Sequence, residues 1–593
     1  MKLLLSGNEA LALGAYHAGV RVAAGYPGTP STEILEALAK YKDIYTEWST
    51  NEKVAMEVAM GASYTGVRTV VSMKHVGLNV ASDPFMAAAG TGVVGGMVVI
   101  SADDPGMHSS QNEQDNRHYA RLAKVPILEP SDSQSAYELM LLAFEISEQF
   151  DTPVMVRTTT RISHSSSVVE ATGERPSGLP APRFSQDAAK FVMLPVHARR
   201  RHPLAIARIQ ALAAYSETFT HNQIDWNGLE LGIITSGIVY QYAREVFKDA
   251  SFLNLGLSYP LPVKLIRQLA TSVKRLMVIE ELDPFMEDQI KAMGISVDGK
   301  NAVPSTGELS PDIVRDAAIK LGVIEGTPRQ PSAKTGLPAL PPRPPLLCPG
   351  CPHTGIFYIL SSMGIRKRTE GENPGLVICG DIGCYTLAAY APLSAIDTCA
   401  CMGAGIGQAQ GMHHAGLTQK IVAVIGDSTF LHSGLTSLIN AVYNQANTLT
   451  IILDNGTTAM TGHQPHPGSG KTSQGSPAPA VDLAALVRAA GVQNLQVVDD
   501  FNLAKLRAAV KTALEDTTPS VIITRGECAI LSKKRSPSLS IDHEKCNLCG
   551  NCLKLGCPAI QKQPEAVVIN TSQCFGAACS LCAQVCPRQA IKP

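Results

Sequence analysis

Residues 420–462 read KIVAVIGDSTFLHSGLTSLINAVYNQANTLTIILDNGTTAMTG. Two short apolar, β-branched runs each break at a polar turn, the first at Gly426-Asp427 and the second at Asp454-Asn455. Between them LHSGLTSLINAVYNQAN reads as a crossover helix. Strand, helix and strand in this order form a right-handed unit with parallel strands. Asp427 and Asn455 then fall at neighbouring carboxyl ends, where open α/β sheets bind ligands. Their side-chain oxygens suit Mg2+, which in turn holds a diphosphate. A Gly-Asp turn after a strand is common, so the pairing of the two strand ends carries the reading.

Working outward, the chain has 593 residues, 45% of them hydrophobic and 17% charged, enough for several cores. Its formal net charge of -1 gives no electrostatic reason to expect nucleic acid or an anionic membrane as partner. The start, MKLLLSGNEALALGAYHAGV, is too weakly apolar for a signal peptide. The longest apolar stretch, FMAAAGTGVVGGMVVISA (Phe85 to Ala102), is rich in Gly and Ala and reads as a buried helix end and strand, not a membrane span. A soluble, cytoplasmic protein is expected, and in a reducing compartment clustered cysteines point to metal before disulfides.

Eight of the fifteen cysteines lie in two runs, CNLCGNCLKLGCP (Cys546 to Pro558) and CFGAACSLCAQVCP (Cys574 to Pro587). In two-cluster ferredoxins three thiolates of a cube come from one run and the fourth, followed by Pro, from the other. Applied here, that assigns Cys546, Cys549, Cys552 and Cys586 to one [4Fe-4S] cluster and Cys574, Cys579, Cys582 and Cys557 to the other. Two loops are longer than the pattern, Cys552 to Cys557 and Cys574 to Cys579, without loss of a ligand. Structural zinc is the rival, disfavoured by the three-plus-one grouping and the prolines.

The spacing from Asp427 to Asn455 resembles the GDG-to-N signature of thiamine diphosphate enzymes, with Ser428 in place of its last glycine. The resemblance implies Mg2+ held by Asp427, Asn455 and the backbone at Thr457, with Gly426 and Ser428 against the cofactor. Such enzymes also need a glutamate for the aminopyrimidine. Glu52, opening the small-residue helix EKVAMEVAMGAS, matches that role, with Glu47 and Glu57 as rivals. Together with YPGTPSTE (Tyr26 to Glu33) this segment resembles the pyrimidine domain of 2-oxoacid:ferredoxin oxidoreductases. KHVGLNVASDP, CPGCPHTG, GDIGCYTL and DNGTTAMTGHQ narrow the resemblance to the indolepyruvate ferredoxin oxidoreductase alpha-subunit family, over essentially the whole chain.

That resemblance implies a multi-domain α/β architecture of thiamine-diphosphate-binding folds. A pyrimidine domain is expected at 1–175, a linker at 176–227, a transketolase C-terminal-like domain at 228–325 and a Pro-rich tether at 326–347. A diphosphate domain at 348–535 and a ferredoxin-like domain at 536–593 complete it. It implies oxidative decarboxylation of an aryl 2-oxoacid such as indolepyruvate to its acyl-CoA, with electrons leaving to an external ferredoxin. Sister activities on pyruvate or phenylglyoxylate, or a non-catalytic electron-transfer subunit, are the alternatives. Superfamily members hold a further [4Fe-4S] cluster through positions matching Cys348, Cys351, Cys384 and Cys528, although a lone C-x2-C also fits zinc or a redox dithiol. Lys74, His75 and Arg117 are candidates for the substrate carboxylate, which wants a cation. Glu280 and Glu281 read as solvated or capping, and Cys379, Cys399 and Cys401 as small buried hydrophobes. With no evident coenzyme A domain, a separate small beta subunit and an alpha2beta2 assembly are expected.

Overall fold

The computed structural model describes residues 1–329, 344–363, 375–532 and 534–592, and the chain forms two compact units, Met1–Leu337 and Pro338–Pro593. The expected tether at 326–347 falls largely outside the described residues.

The first unit is built on a seven-stranded sheet, in spatial order Leu257–Tyr259, Ile127–Leu128, Val154–Thr159, Met97–Asp103, Thr69–Lys74, Val22–Gly25 and Tyr45–Trp48. All but the first strand run parallel. The three central strands are buried along their whole length, which is why their sequences do not alternate. Alternate residues of Met97–Asp103 serve opposite cores: Val98 and Ile100 pack with Leu11 and Phe144, Met97 and Val99 with Met56 and Phe85. A second sheet in the same unit orders Arg275–Ile279, Leu231–Thr235, Ser251–Leu255 and Asn222–Asp225, the last strand antiparallel.

Two features depart from the sequence reading. The segment 176–227 is more than a linker, for it carries the helix Pro195–Ser216 and the strand Asn222–Asp225. That helix buries only Ala205, Leu212 and Ser216 and contains Pro203, so it shows little apolar periodicity to read. The other departure is Leu257–Tyr259, which leaves the second sheet's region to extend the first, too short a run to register as a strand.

Where the two sheets of this unit meet lies a buried ionic network. Arg117 pairs with Asp115 (2.5 Å) and Glu280 (2.8 Å), and donates to the Glu281 and Asp283 carbonyls. Arg157 pairs with Asp103 (2.7 Å) and Glu129 (2.6 Å), and Glu129 accepts from Ser236. Glu280 and Glu281 are therefore buried rather than solvated. Glu280 caps the N–H groups of Met286 and Glu287, and burial pushes the Glu281 carboxyl up to about 7. Removing one partner of such a network leaves uncompensated buried charge, so Arg117→Met is expected to destabilise the first unit by about 3–5 kcal/mol. A urea midpoint equal to the wild type's would contradict this.

The second unit holds a five-stranded parallel sheet in the order Leu376–Cys379, Lys420–Gly426, Leu449–Asp454, Ser520–Arg525 and Asn494–Asp499. Asp427 opens one continuous helical run after its strand, through a π-helical turn at Phe430–Gly434 into the helix Leu435–Tyr443. The cysteine-rich end folds on two small antiparallel pairs, Ser540–Ile541 with Ile591–Lys592 and Ile560–Lys562 with Val567–Ile569. Its Leu555 and Leu581 share a core with Phe357 and Leu506 of the parallel-sheet domain, so within this unit it is packed onto that domain.

Candidate active site

In the second unit four neighbouring strand ends converge. Asp381 follows Leu376–Cys379, Asp427 follows Lys420–Gly426, Asn455 follows Leu449–Asp454, and Cys528 lies shortly after Ser520–Arg525. Parallel strands present their carboxyl ends together, which makes this edge the natural ligand site. Asp427 is buried, and its Oδ2 accepts the backbone N–H groups of Asn455 (3.1 Å) and Gly456 (2.8 Å), while Oδ1 accepts that of Ser428 (2.7 Å). His466 Nε2 lies 3.2 Å from the same Oδ2. His466 Nδ1 accepts the Gly468 N–H, which assigns the ring N–H to Nε2, although that N–H makes no hydrogen bond to the carboxylate.

The amide of Asn455 is oriented from both ends. Its Nδ2 lies 3.2 Å from His353 Nε2, and its Oδ1 accepts the Thr457 N–H at 3.0 Å. Burial pushes His353 down to about 4, so the ring is a neutral acceptor for the amide N–H. Tyr385 closes the floor: a Cβ on Gly426 would stand 2.7 Å from its ring, so only glycine fits before Asp427. Burial raises Asp381 to about 6, although it accepts the Ile382 and Gly403 N–H groups. The sequence reading missed His353, Asp381, Tyr385 and His466. For Asp381 a signal existed, since Gly380-Asp381 after a strand repeats the pattern of Gly426-Asp427.

The thiols sort themselves. Cys348, Cys351, Cys384 and Cys528 line one pocket together with Asn455 and His463. Burial pushes Cys384 up to about 11, with Cys528 and Cys348 beside it adding to the rise, and Cys351 is raised by burial with Cys348 and Cys384 as neighbours. The Cys528 N–H donates to the Asn455 carbonyl at 3.3 Å, so the thiol pocket and the Asp427 site share a wall. A second group gathers Cys557, Cys574, Cys579 and Cys582: burial lifts Cys579 to about 11 and Cys582 to about 12, each with Cys557 and Cys574 next to it. A third has Cys552 raised by burial with Cys546, Cys549 and Cys586 as its neighbours. These are the same partitions that the crossed ferredoxin pattern gives. Cys351 lines both the first pocket and that of the second group, so these two groups adjoin. Of the remaining cysteines, Cys379 is buried against Met412, whereas Cys399 and Cys401 are exposed and not the buried hydrophobes the sequence suggested.

In the first unit another row of strand ends holds the other candidates. Glu52 opens the helix Glu52–Tyr64 behind the N-cap Asn51 and is 6% exposed. The helix His75–Val80 lies flush against it, for a Cβ on Gly77 would stand 2.7 Å from Glu52 Oε1. Its rivals are engaged at the surface, Glu57 by Lys53 and Glu47 by Tyr45 and Ser49. Lys74 ends its strand buried, donates to the Ser109 carbonyl (2.6 Å), and is lowered by burial to about 8. His75 Nε2 faces Asn112 at 3.2 Å. Arg117 is corrected: at 1% exposure, with Nε, Nη1 and Nη2 all donating inside the ionic network, it holds the fold rather than a substrate carboxylate.

Comparison with known proteins bears on both rows. Residues 13–226 match the family described as pyruvate flavodoxin/ferredoxin oxidoreductase, thiamine diphosphate-binding. Residues 381–524 match thiamine pyrophosphate enzyme, C-terminal TPP binding domain. The indolepyruvate oxidoreductase subunit IorA of Methanothermobacter thermautotrophicus is 43% identical over 100% of this chain and 97% of its own. Those of Methanothermobacter marburgensis and Archaeoglobus fulgidus are 44% and 41% identical, each again over 100% of this chain and 97% of the relative. The chain belongs to the IorA family. As an IorA-family chain it is an oxidoreductase with thiamine-diphosphate-binding domains, and the two rows of strand ends fall within, or directly beside, the two matched segments. Among the described residues no helix is long and apolar enough to cross a membrane.

Proposed function

We propose that the protein oxidatively decarboxylates aryl 2-oxoacids, indolepyruvate and similar arylpyruvates, to their acyl-CoA, and delivers the electrons singly to an external ferredoxin. The observation that carries this reading is the shared wall between the Asp427 site and the Cys348–Cys351–Cys384–Cys528 pocket, which puts four cysteines beside the strand-end site. Asp427, Asn455 and the Thr457 backbone offer hard oxygen ligands, the donor set that Mg2+ takes while holding a diphosphate. Burial raises Cys351, Cys384 and Cys582, each beside other cysteines of its group; an iron-sulfur cluster would stabilise such sulfurs as thiolates, which fits [4Fe-4S] ligation in all three groups. A cluster in each would supply one-electron chemistry. Thiamine diphosphate, when bound, supplies the electron sink for decarboxylation.

The chain's own residues do the rest. Asp427 fixes the Asn455–Gly456 turn through two N–H groups, and His353 fixes the face of the Asn455 amide. Glu52 is assigned the aminopyrimidine, where a carboxyl buried against Gly77 can exchange one proton in a fixed position. Lys74 and His75 remain the candidate donors for a substrate carboxylate, with Gly28 packed against Lys74. A small beta subunit would carry the coenzyme A function in an alpha2beta2 complex; the relatives named as subunits support a multi-subunit enzyme.

The test is turnover of the anaerobic complex with coenzyme A, a low-potential acceptor and a panel of 2-oxoacids. Indolepyruvate or phenylpyruvate is expected to exceed pyruvate in kcat/KM by about tenfold or more. Preference for pyruvate would move the assignment to a sister activity, and absence of turnover in thiamine-loaded, iron-replete complex would favour an electron-transfer subunit.

A further inference from the structure

We propose that His463 is a positioning residue that donates an N–H···S hydrogen bond to Cys528 and so sets the reduction potential of the cluster at Cys348, Cys351, Cys384 and Cys528; the inference rests on the reading of that quartet as a cluster site. His463 Nδ1 lies 3.9 Å from Cys528 Sγ, within reach for a large, soft acceptor, and the ring lines the same pocket as the four cysteines.

The backbone supports the assignment independently. His463 has φ 68°, the left-handed region that side chains other than glycine enter at a cost of about 1–3 kcal/mol. Its conformation is over-determined by the Thr458–Gln464 bridge: the His463 N–H donates to the Thr458 carbonyl at 3.0 Å and the Thr458 N–H to the Gln464 carbonyl at 3.0 Å. Such cost is tolerated where the side chain it aims has work to do. The kind of donor also sets Cys528 apart. Cys574 and Cys586 accept the backbone N–H groups of Gly576 and Ala590, both at 3.3 Å, which any residue would supply. Cys528 instead faces an imidazole, a donor that sequence can change.

The physical effect has one sign. Reduction adds one electron, taken from the oxidised 2-oxoacid, and part of the added negative charge resides on the thiolate sulfurs. An N–H dipole aimed at Sγ stabilises that charge and raises the potential. The electron leaves by the neighbouring Cys557–Cys574–Cys579–Cys582 group.

The experiment is an anaerobic redox titration of the complex, followed by EPR, with His463→Gly and His463→Asn. Glycine removes the donor and accepts the left-handed backbone, whereas asparagine tolerates that backbone and places an amide N–H where Nδ1 stood. The expected result is a more negative midpoint for one cluster in His463→Gly, with iron content and the other two midpoints unchanged and the shift reversed in His463→Asn. An unchanged midpoint in His463→Gly, or equal displacement of all three, overturns the proposal. If wild-type protein shows only two reducible clusters and Cys384→Ala alters neither, the cluster reading itself has failed, and this inference with it.

Discussion

Asp427→Ala is expected to abolish retention of thiamine diphosphate through gel filtration and to lower turnover by about a thousandfold or more. Two losses combine. The hard anionic oxygen that Mg2+ prefers is gone. So is the acceptor for the Asn455 and Gly456 N–H groups, so the turn that presents Asn455 and Thr457 loosens as well. Asp427→Asn keeps the shape but sets an amide either against those N–H groups or against the metal, and should retain cofactor only weakly. The cysteine groups 546–586 lie elsewhere in the unit, and their reduced spectra should match the wild type's. Retention of stoichiometric thiamine diphosphate by Asp427→Ala would remove the assignment.

The robustness of that prediction comes from what was legible in the sequence. Asp427 and Asn455 could be placed because parallel strands buried on both faces show as unbroken apolar runs, and the first polar residue after each run marks the strand end. The crossed cysteine partition was legible for a similar reason, since ligand spacing is local and the three-plus-one rule supplies the one long-range link. His353, Tyr385 and His466 were not legible. Each lies in a loop or helix start and reaches the site only through the tertiary fold, and no periodicity distinguishes a histidine that orients an amide from one that packs.

Arg117 shows the opposite failure. A buried arginine and a substrate-binding arginine look alike in sequence. What separates them here is the placement of Asp115 two residues earlier and of Glu280 far along the chain, a pairing set by the meeting of two sheets. The same limit applied to the linker, where a helix that buries one narrow side carries almost no pattern.

Cys384→Ala is expected to reduce iron from about twelve to about eight atoms per chain and to abolish ferredoxin reduction while thiamine diphosphate stays bound. Cys384 belongs to none of the motifs that stand alone: it is neither in the C-P-G-C turn nor in the ferredoxin-like end. Its place in the quartet was implied only by the family resemblance through GDIGCYTL, and the fold brings it beside Cys528 and Cys348. If the pocket held zinc through Cys348 and Cys351, or a redox dithiol, loss of Cys384 would leave the iron content and the reduced spectra unchanged. If it holds a cube, three thiolates retain it poorly and the link between the Asp427 site and the Cys557–Cys574–Cys579–Cys582 group is cut. The remaining groups should then still reduce with dithionite but no longer with 2-oxoacid and coenzyme A. Equal reduction by both routes would show that electrons reach the ferredoxin-like end without this pocket, and Cys348 and Cys351 would need another role.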